Sequence, residues 1–131
     1  MVSCDFTHIA RQHGVRLLLQ FCSTVTGRAH AASDVDLAAL FDGEPTLARV
    51  GDLHADLASA FPGREVDLGV LNHADPLFLE RALAHARLLA GAARDLAELR
   101  LFSFRQYQDH RRYLDLERTF VDKFLAARIH P

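Results

Sequence analysis

The chain has 131 residues, half of them apolar and 24% charged, which is one domain's worth of ordinary globular composition with enough apolar surface for a single core. A net charge of −2 argues against a basic nucleic-acid footprint, and two cysteines, Cys4 and Cys22, are too few for a disulfide framework. No signal-peptide pattern opens the chain and no run of about eighteen apolar residues occurs, so neither secretion nor a membrane span is expected, and the setting reads as a reducing cytoplasm.

In chain order, Phe6, Ile9, Ala10 and His13 recur at helical spacing and predict a short helix over residues 5–13, ended by Gly14. Val15, Leu17, Leu19 and Phe21 then alternate with Arg16, Leu18 and Gln20, the period of a strand. Residues 24–30 lack alternation and contain Gly27, which reads as a short helix or a turn. A second strand over residues 34–41 closes at Asp42-Gly43. Leu47, Val50, Leu53, Leu57 and Phe61 recur every three or four residues, an amphipathic helix over 45–61 with Pro45 in its first turn. Pro62-Gly63 breaks it, and residues 65–71 resume alternation as a third strand.

Asp75 is placed to cap a helix that starts at Pro76, and Leu88-Leu89 before Gly91 forms a brief edge strand. Helix formers dominate from Ala93 onward. Leu96, Leu99 and Phe102 make one apolar stripe, residues 105–112 are nearly all polar and read as a solvated face, and Tyr113, Leu116, Phe120 and Phe124 make a second stripe. One long bent helix or two in sequence fit equally. The order of elements predicts a single α/β or α+β domain, a small mixed sheet flanked by helices (core about 1–91) with a helical tail (about 92–131).

The chemistry concentrates at Asp34-Val35-Asp36. On a strand, side chains two apart share a face, so both carboxylates project together while Val35 and Leu37 point to the core. Adjacent like charges are unfavourable unless something offsets them, and a hard divalent cation such as Mg²⁺ is the usual partner of such a pair. Asp67, on the polar side of the third strand with Glu65 and Gly69, brings a third carboxylate that could reach the first two. Ser23 precedes Asp34 by ten intervening residues and is followed by a turn or helix start, where a serine serves as an N-cap or as a phosphate donor equally well. The eight histidines read as surface or satisfied positions: neither His8 with His13 nor His73 with His85 has metal-ligand spacing.

Ser23, ten residues and Asp34-Val35-Asp36 resemble the signature of the nucleotidyltransferase superfamily of DNA polymerase beta, and within it the minimal nucleotidyltransferases. The likeness continues through Val66-Asp67-Leu68, Leu71-Asn72, the Pro-started helix and the Leu-Leu strand. It implies that Asp34 and Asp36 hold two Mg²⁺ ions and that Asp67 completes the site of the ion serving the acceptor hydroxyl. Cys22, Ser23, Gly27 and Ser33 are then the nucleotide-binding positions, with ATP as donor. The sequence departs from the family pattern at Cys22, where a glycine is usual, and at Thr24 and Thr26, where long polar side chains are common.

Members of this size are best known as antitoxins of HEPN/MNT toxin–antitoxin pairs, so the resemblance implies transfer of AMP to a tyrosine of a HEPN ribonuclease toxin. The alternatives are an antitoxin that neutralises its toxin by complex formation alone, which the three departures favour, and a small-molecule nucleotidyltransferase, for which no acceptor domain is visible. Leu114, Val121 and Leu125 widen the last apolar stripe into a face suited to the toxin or to a second copy of the chain. The Arg105–His110 spacing of a HEPN motif is coincidental, since Arg112 stands where that motif has tyrosine.

Overall fold

The computed structural model describes residues 5–21 and 34–129. Eight elements follow in order: α1 (Phe6–Gln12), β1 (Val15–Phe21), β2 (Asp34–Phe41), α2 (Leu47–Ala60), β3 (Glu65–Val70), α3 (Pro76–Ala84), β4 (Arg87–Ala90) and α4 (Ala93–Ile129). The strands form one sheet in the order β3-β2-β1-β4. β1 pairs antiparallel with β2 and with β4, whereas β2 and β3 are parallel. A parallel pair needs a crossover, and α2 supplies it.

Both faces of the sheet are covered. Leu18, Val35, Leu37, Ala39 and Phe41 pack with Ala10 of α1 and Leu53 and Leu57 of α2. Leu17, Leu19 and Ala38 pack on the other face with Leu79, Ala82 and Leu83 of α3 and Leu96 of α4. Strand β1 is therefore buried on two sides, and Leu17, Leu18 and Leu19 expose nothing to solvent. Cutting any one of them to alanine would cost about 3 kcal/mol. A register shift between Val15 and Leu17 turns Val15 to the α1/α2 face beside Leu18, so the simple alternation read through β1 holds only from Leu17 onward.

Local signals set the helix ends. Asp5 caps α1 by accepting the His8 N–H at 3.1 Å, and Asp75 caps α3 by accepting the Leu77 N–H at 2.8 Å, with Pro76 in the first turn. For α2 the cap is Thr46, whose hydroxyl accepts the Arg49 N–H, so Pro45 lies before the helix and not in its first turn. Asn72 finishes the β2–β3 edge. Its side chain accepts the Phe41 N–H and donates to the Phe41 carbonyl, both at 2.9 Å, and so acts as one further rung beyond β3.

α4 is a single helix of 37 residues, about 55 Å long. Its body-facing seam runs Leu96, Leu99 and Ser103. Phe102, grouped with the two leucines in the sequence reading, is instead 55% exposed, because it lies off the seam that Ser103 continues. From Gln108 outward every described side chain of α4 is exposed, Tyr113, Leu116 and Phe120 among them. No helix among the described residues is long and apolar enough to cross a membrane.

Candidate functional site

The sheet register arranges the acidic residues. Asp34 is paired with Glu65 and Asp36 with Asp67 across the parallel β2/β3 ladder, while Phe21 of β1 faces Asp36 from the other side. Paired residues share a face, so Phe21, Asp36 and Asp67 form one row across three strands, with neighbours about 4.8 Å apart in the hydrogen-bonding direction. The next row inward is Leu19, Ala38 and Gly69, and the next outward holds Asp34 and Glu65. Four acidic residues thus occupy two adjacent rows on the α3/α4 face, at the end of the sheet where β1 leaves and β2 enters.

Packing explains why this patch is polar. Leu19 and Ala38 are covered by α3, whereas Asp34 and Asp36 are half-buried and Glu65 and Asp67 are exposed. The coverage ends at Phe78, in the first turn of α3. Its ring sits on Gly69, where a Cβ would lie only 2.8 Å from Cζ of Phe78, and meets Phe21 edge-on with ring centroids 6.1 Å apart. Phe78 therefore walls the carboxylate row on its core side, and Phe21 closes the row at its β1 end. At the outer end, Arg64 donates to the Asp34 carbonyl at 3.3 Å, bringing a cation beside Asp34 and Glu65.

Of the residues singled out in the sequence, Asp34, Asp36 and Asp67 come together on one face in adjacent rows. Cys22, Ser23, Gly27 and Ser33 lie outside the described residues, as do Thr24 and Thr26 and the helix or turn expected over 24–30. Glu65, Arg64, Phe21 and Phe78 were not singled out as site residues. Glu65 and Phe21 were readable as lying two residues from Asp67 and from Ser23. Arg64 and Phe78 carried no signal. Two of the histidines bond carboxylates outside this patch: His13 bonds Asp56 at 2.6 Å and His73 bonds Glu44 at 2.8 Å.

Among the described residues no group of three or more His, Cys, Asp or Glu side chains converges as a ready metal cage. The donor set still suits a hard divalent ion, because adjacent strands present carboxylates alone, on one face, in directly paired positions. Facing carboxylates repel one another, and a cation's charge is what draws such groups inward.

Fold and sequence together define the class. The family described as polymerase beta, nucleotidyltransferase matches residues 6–95, more than half of the chain, and the chain belongs to that family. Among solved structures, it is similar to a toxin–antitoxin determined with AMP-PNP, at 23% identity over 93% of this chain and 96% of that one, with a TM-score of 0.67. A MntA–HpeT toxin–antitoxin carrying two Asp→Glu changes two positions apart gives 21% identity over 92% and 95%, with a TM-score of 0.67. A tri-AMPylated Shewanella oneidensis HEPN toxin in complex with MNT antitoxin gives 22% identity over 92% of each chain, with a TM-score of 0.65. At these identities the likeness is one of fold. No curated protein sequence matches the chain.

Proposed function

We propose that this chain is the antitoxin half of a toxin–antitoxin pair and a Mg²⁺-dependent nucleotidyltransferase that moves AMP from ATP to a tyrosine of a HEPN ribonuclease toxin, in the cytoplasm. The observation that carries the reading is the direct pairing of Asp36 with Asp67 beside Asp34, in the fold of a nucleotidyltransferase. The similar structures support the remainder, since one holds a nucleotide analogue and another an AMPylated HEPN toxin beside an MNT antitoxin.

In the proposed reaction the tyrosine oxygen bonds to the α-phosphorus of ATP. The bond from that phosphorus to the bridging oxygen breaks, pyrophosphate leaves, and the hydroxyl proton passes to solvent. Asp34 and Asp36 would hold Mg²⁺, with Asp67 as a further ligand. Mg²⁺ held there supplies charge neutralisation at the attacking and leaving oxygens. By the family resemblance Cys22, Ser23, Gly27 and Ser33 would serve the nucleotide, with Ser23 toward the outer phosphates.

The partner docks on the outer half of α4. Tyr113 is 63% exposed, Leu116 66% and Phe120 70%, and Val121 and Leu125 widen the same face. At 3.6 residues per turn Leu114, Val121 and Leu125 continue the side that seats Leu96 and Ser103 on the body, while Tyr113, Leu116 and Phe120 line up with the exposed Phe102, so a helix of the toxin would cover an apolar face that widens beyond the seam. The second reading, neutralisation by complex formation without transfer, is favoured by Cys22 at the motif glycine. Binding of Mg-ATP to the isolated chain separates the two: saturable binding at millimolar nucleotide supports the transferase, and none supports the second.

A further inference from the structure

The wall behind the carboxylates has a consequence for the acceptor. Phe78 rests on Gly69, which follows Asp67 by two residues on the same face of β3, and its ring edge meets Phe21, which faces Asp36 across β1 and β2. Both rings are only partly buried. Any side chain at position 69 would displace Phe78, since a Cβ would sit 2.8 Å from Cζ and 3.3 Å from Cε2. The missing Cβ therefore lets an aromatic ring lie directly against the sheet one row behind the acidic pair. A row of carboxylates alone would accept any hydroxyl; a partly exposed aromatic wall next to it selects by shape and polarity.

We propose that Phe78, seated on Gly69 and braced by Phe21, is the surface against which the acceptor side chain packs, and that it gives this site a preference for an aromatic hydroxyl over an aliphatic one. The inference rests on the transferase reading above. Phe78 stands over β3, the strand of Asp67 and the outermost of the sheet on that side. In the reading above Asp67 serves the ion on the acceptor side. An acceptor entering beside Asp67 thus meets Phe78, where a phenol ring gains edge or offset-stacked contact that a serine or threonine side chain cannot make. Phe78 acts by touching the acceptor and takes no part in the bond changes. The phenol oxygen still bonds to the α-phosphorus, pyrophosphate leaves and the proton goes to solvent.

The test uses the full chain and its purified toxin partner, with the acceptor tyrosine intact or replaced by serine, and reads rates of AMP transfer from Mg-ATP together with the Kd of Mg-AMP-PNP. Phe78→Leu should narrow the tyrosine-to-serine rate ratio by about tenfold, through KM for the tyrosine acceptor, with nucleotide Kd unchanged. Gly69→Ala, which moves the ring without removing it, should shift the ratio in the same direction, and Phe78→Tyr should restore most of it. An unchanged ratio in Phe78→Leu, or a weakened nucleotide Kd with the ratio unchanged, overturns the proposal; the second result would place the ring against the base. If the wild-type chain transfers nothing to either acceptor, the transferase reading fails and the inference fails with it.

Discussion

Asp36 of β2 faces Asp67 of β3 in a parallel pair, with both residues on the α3 side of the sheet. Parallel pairing fixes this meeting through the backbone: Leu37 opposite Leu68 and Val35 opposite Val66 pack beneath α2, and that packing holds the two aspartates level on the opposite face. Like charges placed opposite each other on neighbouring strands are unfavourable. In the proposed function this pair belongs to the Mg²⁺ site.

Asp67→Asn separates the charge from the fold. Mg²⁺ is expected to raise the melting temperature of the wild-type chain and to raise that of Asp67→Asn less, and the melting temperature of Asp67→Asn in EDTA should equal or exceed that of the wild type. Thermal scans with and without Mg²⁺ measure both. An equal Mg²⁺ response in the two proteins would contradict the proposed role of Asp67.

Asn72 has a structural role that transfer assays should not report directly. Replacing it with alanine leaves the Phe41 N–H and carbonyl without their side-chain partner and removes a further bond to the Gly43 carbonyl. The expected cost is about 2 kcal/mol, read as a lower urea midpoint with unchanged slope. A midpoint equal to wild type would show that Asn72 does not hold the end of β2.

Two glycines should respond in opposite directions. Gly91 has φ +113°, and a Cβ there would press on the Arg16 carbonyl and lie 2.8 Å from the Leu17 side chain, so Gly91→Ala should destabilise by about 3 kcal/mol. Gly51 lies inside α2 with nothing within 4 Å of a built Cβ, so Gly51→Ala should stabilise by about 0.5–1 kcal/mol. Denaturant titration of the pair tests the packing of the β4–α4 turn against an internal control.

Ending the chain after Asp109 removes the exposed outer half of α4 and keeps the Leu96, Leu99 and Ser103 seam. The truncated protein should keep its cooperative unfolding and its Mg-ATP binding but lose co-purification with the toxin. Retention of the complex would move the docking surface elsewhere.

Much of this arrangement was legible in the sequence because alternation reports facing directly. Asp34 and Asp36 project together for the same reason that Val35 and Leu37 enter the core, and Asp67 follows from Val66 and Leu68. Alternation says which face a residue occupies and not which strand lies beside it, so the pairing of Asp36 with Asp67 and with Phe21 required the non-local register. Where both faces are covered the signal vanishes, as at Leu17-Leu18-Leu19, and a register shift hid the turn of Val15 to the other face. In α4 the seam passes from Leu99 to Ser103, four residues on, and leaves Phe102 to solvent. A small polar residue on the buried line and a large apolar one beside it misdirect a reading by hydropathy. In sequence Gly69 stands on the polar side of the third strand and Phe78 carries no site signal, and only their contact beside Asp67 gives them a part in the site.

In the proposed reaction, transfer of AMP to the partner protein depends on these carboxylates. The most direct test of that dependence is the intact mass of the toxin partner after co-expression with this chain, compared with co-expression with the Asp34→Asn, Asp36→Asn double variant. The account predicts a mass gain equal to one or more AMP groups with the wild-type chain and none with the double variant. An unmodified toxin that still co-purifies with the wild-type chain, or a gain that persists in the double variant, would contradict it.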